Sequence, residues 1–392
     1  MSVAVDVDAA FLEAVARIAD EVSAPAALAV DRDARFPVES IDALREAHAL
    51  SAFVPAEHGG DGVSFEALAR ACFLLGRRCS ASAMVFAMHQ IQVVTLVRHA
   101  TPGTAVEAYL ADLVRDQRLL ASVTSEVGTG GDMGRSVAAV EPDRDAPGMA
   151  TFVKKAPTVS YGAYADDLVT TVRRAPDAQP GDQVLVLTHR DQVQLDPQGS
   201  WDPMGMRGTC SPGFVVSARF ATDQVLEQPF SRIGPESMVP VSHVLWSHLW
   251  LGIASDAFDR ARAFVRAAAR AKPGEDLPAA QRLSKLHAEL GLLRAEVAQG
   301  LRDFVEGSEG DRSALTTMRM VLRFNELKIS TSEHAPAICR DAMGVCGIMG
   351  FKNDSPFSIG RHLRDSMSGA LMVANERLHQ TNASLLLIAK DV

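Results

Sequence analysis

The residues with the most capacity for chemistry gather in a stretch rich in hydroxyls and glycine, LLASVTSEVGTGGDMGRS over positions 119–136. A glycine-rich turn that opens a β-segment exposes backbone N–H groups able to bind the polar edge of a ligand, and Thr124 and Ser125 add hydroxyls. Taken alone, such a turn is more often a surface loop. Further residues of this kind are Thr158 and Ser160 in KKAPTVSYGAYADDLVTTVRR, Arg207 in WDPMGMRGTCSPGFVV, and Gly347 and Gly350 in DAMGVCGIMGFKNDSPFSIGRHLRD. The bland alternatives are strand residues for Thr158 and Ser160, an ion-pair partner for Arg207, and helix C-caps for the two glycines. Arg270, in AARAKPG, carries a planar guanidinium suited to a diphosphate.

These residues need a frame. The 392-residue chain is 47% hydrophobic, enough to bury a sizeable core in two or three domains. Long amphipathic stretches run to about Ala121, with breaks expected at Pro25, Pro37 and the Gly59–Gly62 turn. Short β-rich runs follow at 151–155, 167–172, 184–189 and 214–220. From Val241 the helices return: Leu283, Leu286, Leu290, Leu293, Val297, Leu301 and Phe304 step by three and four along one face. Similar spacing continues over 314–340, and a last helix is expected from about Met372 to Lys390. The division reads as 1–121 helical, 122–232 a small β-domain, and 233–392 a helical bundle. That order is unusual, because most α/β enzymes interleave the two element types.

Composition excludes several classes. A formal net charge of −9 leaves no basic stripe for nucleic acid. The first ten residues carry Asp6 and Asp8 and no signal-peptide pattern, and no run approaches the roughly 20 apolar residues of a membrane span. Cys72, Cys79, Cys210, Cys339 and Cys346 show no CxxC spacing, which fits reduced thiols in a cytoplasmic protein and no structural zinc. The histidines form no HExxH pattern, so no metal is expected.

The quoted segments, in their order along the chain, resemble the acyl-CoA dehydrogenase superfamily. Positions 119–136 are similar to that family's Thr/Ser-Glu-x-Gly-x-Gly-Ser-Asp stretch, 154–174 to its next two strands, 201–216 to its Trp-x-x-x-Gly-(Met/Leu)-Arg-x-Thr-x-Ser segment, and 341–365 to its distal glycine loop and Arg-Asp pair. The resemblance implies a mainly α fold: an N-terminal helical domain, a middle β-barrel or sandwich and a C-terminal four-helix bundle, binding FAD. Its flavin contacts would be Val123, Ser125, Gly130, Gly131, Thr158 and Ser160, with Tyr161 standing for the family's aromatic residue. Arg270, Gly347 and Gly350 would meet the pyrophosphate, ribose and adenine across a dimer or tetramer contact.

The family's reaction is α,β-dehydrogenation in fatty-acid metabolism. A carboxylate removes the α-proton of an acyl-CoA or acyl-carrier thioester, and the β-hydrogen leaves as hydride to flavin N5. Electrons then pass to an electron-transfer flavoprotein or to dioxygen. Most relatives carry the base shortly after the Arg-Asp pair, which here falls near Val373; others carry it near Ser242 and His243. Neither is an acid. Anchoring on the chain end puts the base near Leu378, and the one acid between the anchors is Glu376, the candidate base. The competing reading is a flavin monooxygenase of the same fold, which needs no such carboxylate; His243, Trp246, His248, His379, His89 and Gln90 would then line its cavity. Met84, Met88 and Trp250 read first as core. A non-catalytic relative is a third reading.

Overall fold

A computed structural model describes residues 6–274 and 276–389. Six helices precede the first strand: α1 (Val7–Ile18), α2 (Ala24–Arg32), α3 (Val38–Glu46), α4 (Phe65–Gly76), α5 (Ser80–His99) and α6 (Ala105–Asp116). Ser64 and Thr104 cap α4 and α6, their hydroxyls accepting from Ala67 N–H at 3.1 Å and Glu107 N–H at 3.3 Å, which satisfies donors with no intrahelical partner. Pro37 and Gly59 break the helical pattern as expected, Pro37 just before α3 and Gly59 with a φ of +86°. Pro25 does not. A π-turn over Ala19–Ser23 carries α1 into α2, and Pro25 sits in the first turn of α2, where its missing N–H costs little.

Seven strands follow: β1 (Leu120–Val123), β2 (Glu141–Pro142), β3 (Met149–Ala156), β4 (Asp167–Arg173), β5 (Gln183–His189), β6 (Val193–Gln198) and β7 (Gly213–Ala221). β1 begins inside the stretch read as helical, because Gln117 takes a left-handed conformation that ends α6 and a four-residue apolar run has no period to betray it. β1 pairs parallel with β4 and β4 antiparallel with β5; the second sheet, β2-β3-β7-β6, is antiparallel throughout. The sheets pack on each other through Val123, Phe152, Leu168, Val172, Val216 and Phe220, all nearly inaccessible.

The return to helix comprises α7 (Phe230–Ile233), α8 (Val239–Ala271), α9 (Pro278–Gly307), α10 (Met318–Cys346), α11 (Ile348–Phe351), α12 (Gly360–Ser366) and α13 (Asn375–Leu386). A second π-turn, Gly234–Met238, leads into α8. α8 lies against α4, α5, α9 and α10, so the first and last helical parts share one apolar core. The α9 stripe is confirmed: Leu286, Leu290, Leu293, Val297 and Phe304 are buried, Leu283 and Leu301 partly so. The last helix starts later than expected because Val373 adopts a φ of +47°, and Lys390 lies outside the described residues. α5 is long and apolar enough to cross a membrane, but its apolar window is 89% buried among the other helices.

Candidate active site

A cavity of about 610 Å³ opens where the sheets meet the two helical parts. Its sheet-side wall is built from the glycine-rich turn after β1, the 157–160 segment after β3, and the 201–211 segment before β7. Gly130 and Gly131 have φ of +62° and +81°, a region that only glycine enters freely, so bare backbone faces the space. Ser125 Oγ donates to the Thr158 carbonyl at 2.7 Å, fastening the turn to the next segment. Thr209 Oγ1 donates to Met206 O at 2.9 Å and lies 2.8 Å from Ser211 Oγ, which in turn is 3.0 Å from Ser160 Oγ. The result is a chain of three hydroxyls along the wall.

Behind the turn, Glu126 takes no part in the cavity. Its carboxylate accepts from Ser136 Oγ at 2.6 Å, Ala138 N–H at 2.6 Å and Val137 N–H at 3.1 Å, with Lys154 Nζ at 3.5 Å. The Lys154 ammonium also donates to Thr171 O at 2.6 Å. Burial lowers the Lys154 pKa to about 8, a shift opposed by Glu126. This pair anchors the loop.

The helix-side wall is mainly apolar. Met84 and Met88 come from α5, Trp246 from α8, and Leu371, Met372 and Val373 from the turn before α13. Lys328 holds that turn, donating to Val373 O at 2.9 Å and Asn375 Oδ1 at 2.6 Å. An adjoining lobe of about 100 Å³ runs inward from Met88, Thr124 and Trp246 and adds Gln92, Ser242 and His243. Among the described residues, the single carboxylate lining either space is Asp132, already accepting from Gly134 N–H at 2.9 Å.

Of the expected contact residues, Ser125, Gly130, Gly131, Thr158 and Ser160 line the cavity together. Val123 is buried behind the wall. Arg270 is exposed near the end of α8, and Gly347 and Gly350 stand at the junction of α10 and α11, off this cavity. Glu376 is exposed in the first turn of α13 and is not part of the wall; its neighbour Arg377 is, donating to the Gly130 carbonyl. Tyr161 is not the wall aromatic: it is buried and its hydroxyl donates to Leu120 O at 2.9 Å, while Trp201 takes the place on the wall. Among the proposed cavity histidines, only His243 reaches the space, with Trp246 beside it. His89 is locked between Leu50 O and Leu120 N–H, Gln90 bonds Ala49 O and Leu50 O, His248 bonds Val244 O, and His379 is exposed.

Arg207 is structural, donating to Asp31 O at 2.9 Å and Asp202 Oδ1 at 2.6 Å. Arg364 pairs with Asp31 and donates to Met204 O at 2.8 Å, and Asp365 accepts from Met206 N–H at 2.7 Å, so this pair clamps the 201–211 segment between α2 and α12. Met84 and Met88 prove to be wall rather than core only, and Trp250 is core. Gln92 was missed. Its signal was the helical step Met84, Met88, Gln92, which puts one face of α5 on the cavity. Ser211 lay inside a segment already singled out, two residues from Thr209.

Residues 6–117 match the model of the acyl-CoA dehydrogenase N-terminal domain and residues 243–372 that of the C-terminal domain. YdbM of Bacillus subtilis strain 168, a protein whose name places it with acyl-CoA dehydrogenases, is 26% identical over 65% of this chain and 65% of its own length. The L-evernosamine nitrososynthase of a Micromonospora species is 25% identical over 87% of this chain and 81% of that one. The fold also matches FMN-bound TdsC from Paenibacillus sp. A11-2, with a TM-score of 0.83 across 96% of this chain and 97% of that one at 20% identity. With both terminal helical parts matched and the sheets between them arranged as above, the chain belongs to the acyl-CoA dehydrogenase superfamily, a family of flavin-dependent oxidoreductases and oxygenases.

Proposed function

We propose that this protein is a flavin-dependent monooxygenase that oxygenates a small neutral substrate, using reduced flavin and dioxygen. The observation that carries the reading is the cavity wall. Val373 and His243, at the two places where dehydrogenases of this family keep their base, both reach the space and neither is an acid. An enolate-forming step needs a general base within reach of the α-proton; burial leaves His243 only weakly basic, and the Asp132 carboxylate already accepts from Gly134 N–H. Similarity to a nitrososynthase over 87% of this chain and 81% of that one supports the same reading.

The wall suits a flavin. Ser125, Gly130, Gly131, Thr158 and Ser160 would face it with hydroxyls and bare backbone, Gly130 and Gly131 in the positive-φ conformation that favours glycine. Val123 would contribute backbone only. Bound reduced flavin supplies two electrons to dioxygen; with two protons, one oxygen atom enters the substrate and the other leaves as water. The chain's own part is to hold the substrate, to exclude water with Met84, Met88 and Trp201, and to offer the Thr209–Ser211–Ser160 hydroxyls as a proton path. FMN would lie within this cavity, whereas FAD would extend its adenylate half toward Arg270, Gly347 and Gly350 of a second copy. A dimer or tetramer accompanies the FAD form, and Ile348 and Phe351, each 69% exposed beside those glycines, would be covered in it. A cytoplasmic location, with its supply of NADH, suits the reading.

The second reading, thioester dehydrogenation through Glu376, is favoured by the position of that residue next to Arg377 on the wall. Anaerobic mixing of flavin-loaded protein with a panel of acyl thioesters separates the two. Monooxygenase function predicts no flavin bleaching by any thioester, with reduction only by NADH and a flavin reductase, then oxygen uptake on admitting air. Thioester-driven bleaching would overturn it.

A further inference from the structure

The inner lobe holds three polar side chains that the fold leaves unsatisfied. Gln92 Oε1, His243 Nε2 and Trp246 Nε1 are shielded from solvent and have no hydrogen-bond partner, and their residues are 2%, 0% and 7% exposed. Buried polar groups in folded proteins are nearly always paired, so three orphans around one small space mark a place where a partner is missing. The lobe is also several times the space a single ordered water needs. Met88, Met133 and Met238 complete much of its wall, and unbranched methionine yields easily to an entering group.

The chemistry of the missing partner can be read from the atoms. His243 Nδ1 lies 3.1 Å from the Phe324 carbonyl, which only accepts, so Nδ1 carries the proton and Nε2 presents a lone pair. Burial, with Lys328 nearby, pushes the imidazole down to about 3 and keeps it neutral. Trp246 Nε1 can only donate, and its ring centroid is 6.5 Å from that of His243. Among the described residues no charged side chain lines the lobe, so an ion would enter it at a heavy desolvation cost. One neutral group that donates once and accepts once satisfies both rings, and a hydroxyl does this with a single atom.

We infer that the inner lobe is the substrate's headgroup site and takes a neutral hydroxyl, which donates to His243 Nε2 and accepts from Trp246 Nε1–H. The identification as a substrate site rests on the monooxygenase reading; the binding preference does not. The site anchors one end of the molecule and leaves the other in the main cavity.

The test uses flavin-loaded, oxidised protein with no reductant, so nothing turns over and a failure of the oxygenase reading would not affect it. Phenol, anisole and toluene are titrated by calorimetry. Phenol can make both bonds, anisole can only accept from Trp246, and toluene can make neither. Wild type should bind phenol about tenfold more tightly than anisole and anisole several-fold more tightly than toluene, the step size of one net hydrogen bond each. Trp246→Phe keeps an aromatic ring without the N–H and should erase the anisole–toluene difference; His243→Phe should erase the phenol–anisole difference. If His243→Phe fails to fold, Trp246→Phe alone decides. Equal affinity for the three probes in wild type, no binding of phenol, or an anisole-over-toluene preference that survives Trp246→Phe would each overturn the inference.

Discussion

On the sheet side of the cavity Ser125, Ser160, Thr209 and Ser211 all bond within the protein, whereas on the helix side Gln92, His243 and Trp246 each keep an unpaired polar atom. A wall whose polar groups are already paired keeps its shape with or without a ligand, which suits a cofactor of constant structure. A wall with unpaired groups is completed only by what it binds. The difference separates two tasks that share one space: the sheets present a fixed surface, and the helices carry the part that must distinguish one substrate from another.

The two sides should also differ in how acid attacks them, and this is the largest effect expected. Burial pushes His89, His243 and His248, all on helices, down to about 4, 3 and 4. Their folded values lie below the ordinary one of about 6.5, so the unfolded chain binds more protons between pH 6.5 and about 4, and stability falls as pH drops through that window. Each fully buried histidine contributes about 1.4 kcal/mol per pH unit there. His89 cannot escape by changing tautomer, since Nδ1 accepts from Leu120 N–H and Nε2 donates to Leu50 O. Urea unfolding at pH 7, 6 and 5 should show stability falling by several kcal/mol and the midpoint falling with it, and a midpoint constant to pH 5 would contradict the burial assigned to these rings.

Glu126→Ala attacks the sheet side instead. It leaves the Lys154 ammonium buried without its carboxylate and strands the N–H donors of Val137 and Ala138. Removing one partner of a buried pair typically costs about 3–5 kcal/mol. Chemical denaturation should show that loss together with release of flavin, because the pair fastens the glycine-rich turn. A variant that keeps flavin with wild-type affinity would show that the turn does not depend on this anchor.

Much of the sheet side was legible in the sequence because it is written in contiguous segments: the turn at 119–136 and the strand ends at 158–160 and 207–211 each place their residues by local geometry. The helix side was less legible. Its chemistry comes from Gln92, His243, Trp246 and Val373, on three separate elements, and nothing in local spacing reveals that α5, α8 and the turn before α13 meet. Helical periodicity places Trp246 and Trp250 alike on a buried face, yet the first lines the cavity and the second is core. Tyr161 misled for the converse reason: it has the expected type and a nearby position, but its left-handed backbone, φ +43°, goes with a side chain directed to Leu120. Pro25 misled because a π-turn carries no residue pattern of its own.

Ser211→Ala is a milder cut into the paired wall. It removes the middle of the hydroxyl chain and leaves Thr209 and Ser160 to rebond or to face the ligand. A neutral hydrogen bond is worth about 1 kcal/mol net, so stability should fall by about that amount. If the chain relays protons, oxygen uptake should slow more than flavin binding weakens. Equal changes in both would leave Ser211 a purely structural residue.

The smallest effect should come from the residue that a dehydrogenase would need most. Glu376 is exposed at the start of α13, off the wall, and its charge favours the charged form of Lys328, whose pKa burial lowers to about 8. Glu376→Gln keeps the side chain's size and removes its charge. Surface changes of this kind usually move stability by no more than about 0.5 kcal/mol. Under the monooxygenase reading, NADH-driven oxygen uptake in the presence of a flavin reductase should stay within about twofold of wild type, the scale of a surface substitution that touches no reacting group. A hundredfold loss would mean that α13 turns Glu376 into the cavity when ligand binds, and that the apolar wall at Val373 is not the working face of the site. Measured beside Trp246→Phe, the variant tests the contrast directly: one residue close to the inner lobe with an unpaired N–H, the other outside it with a charge already spent on solvent and Lys328.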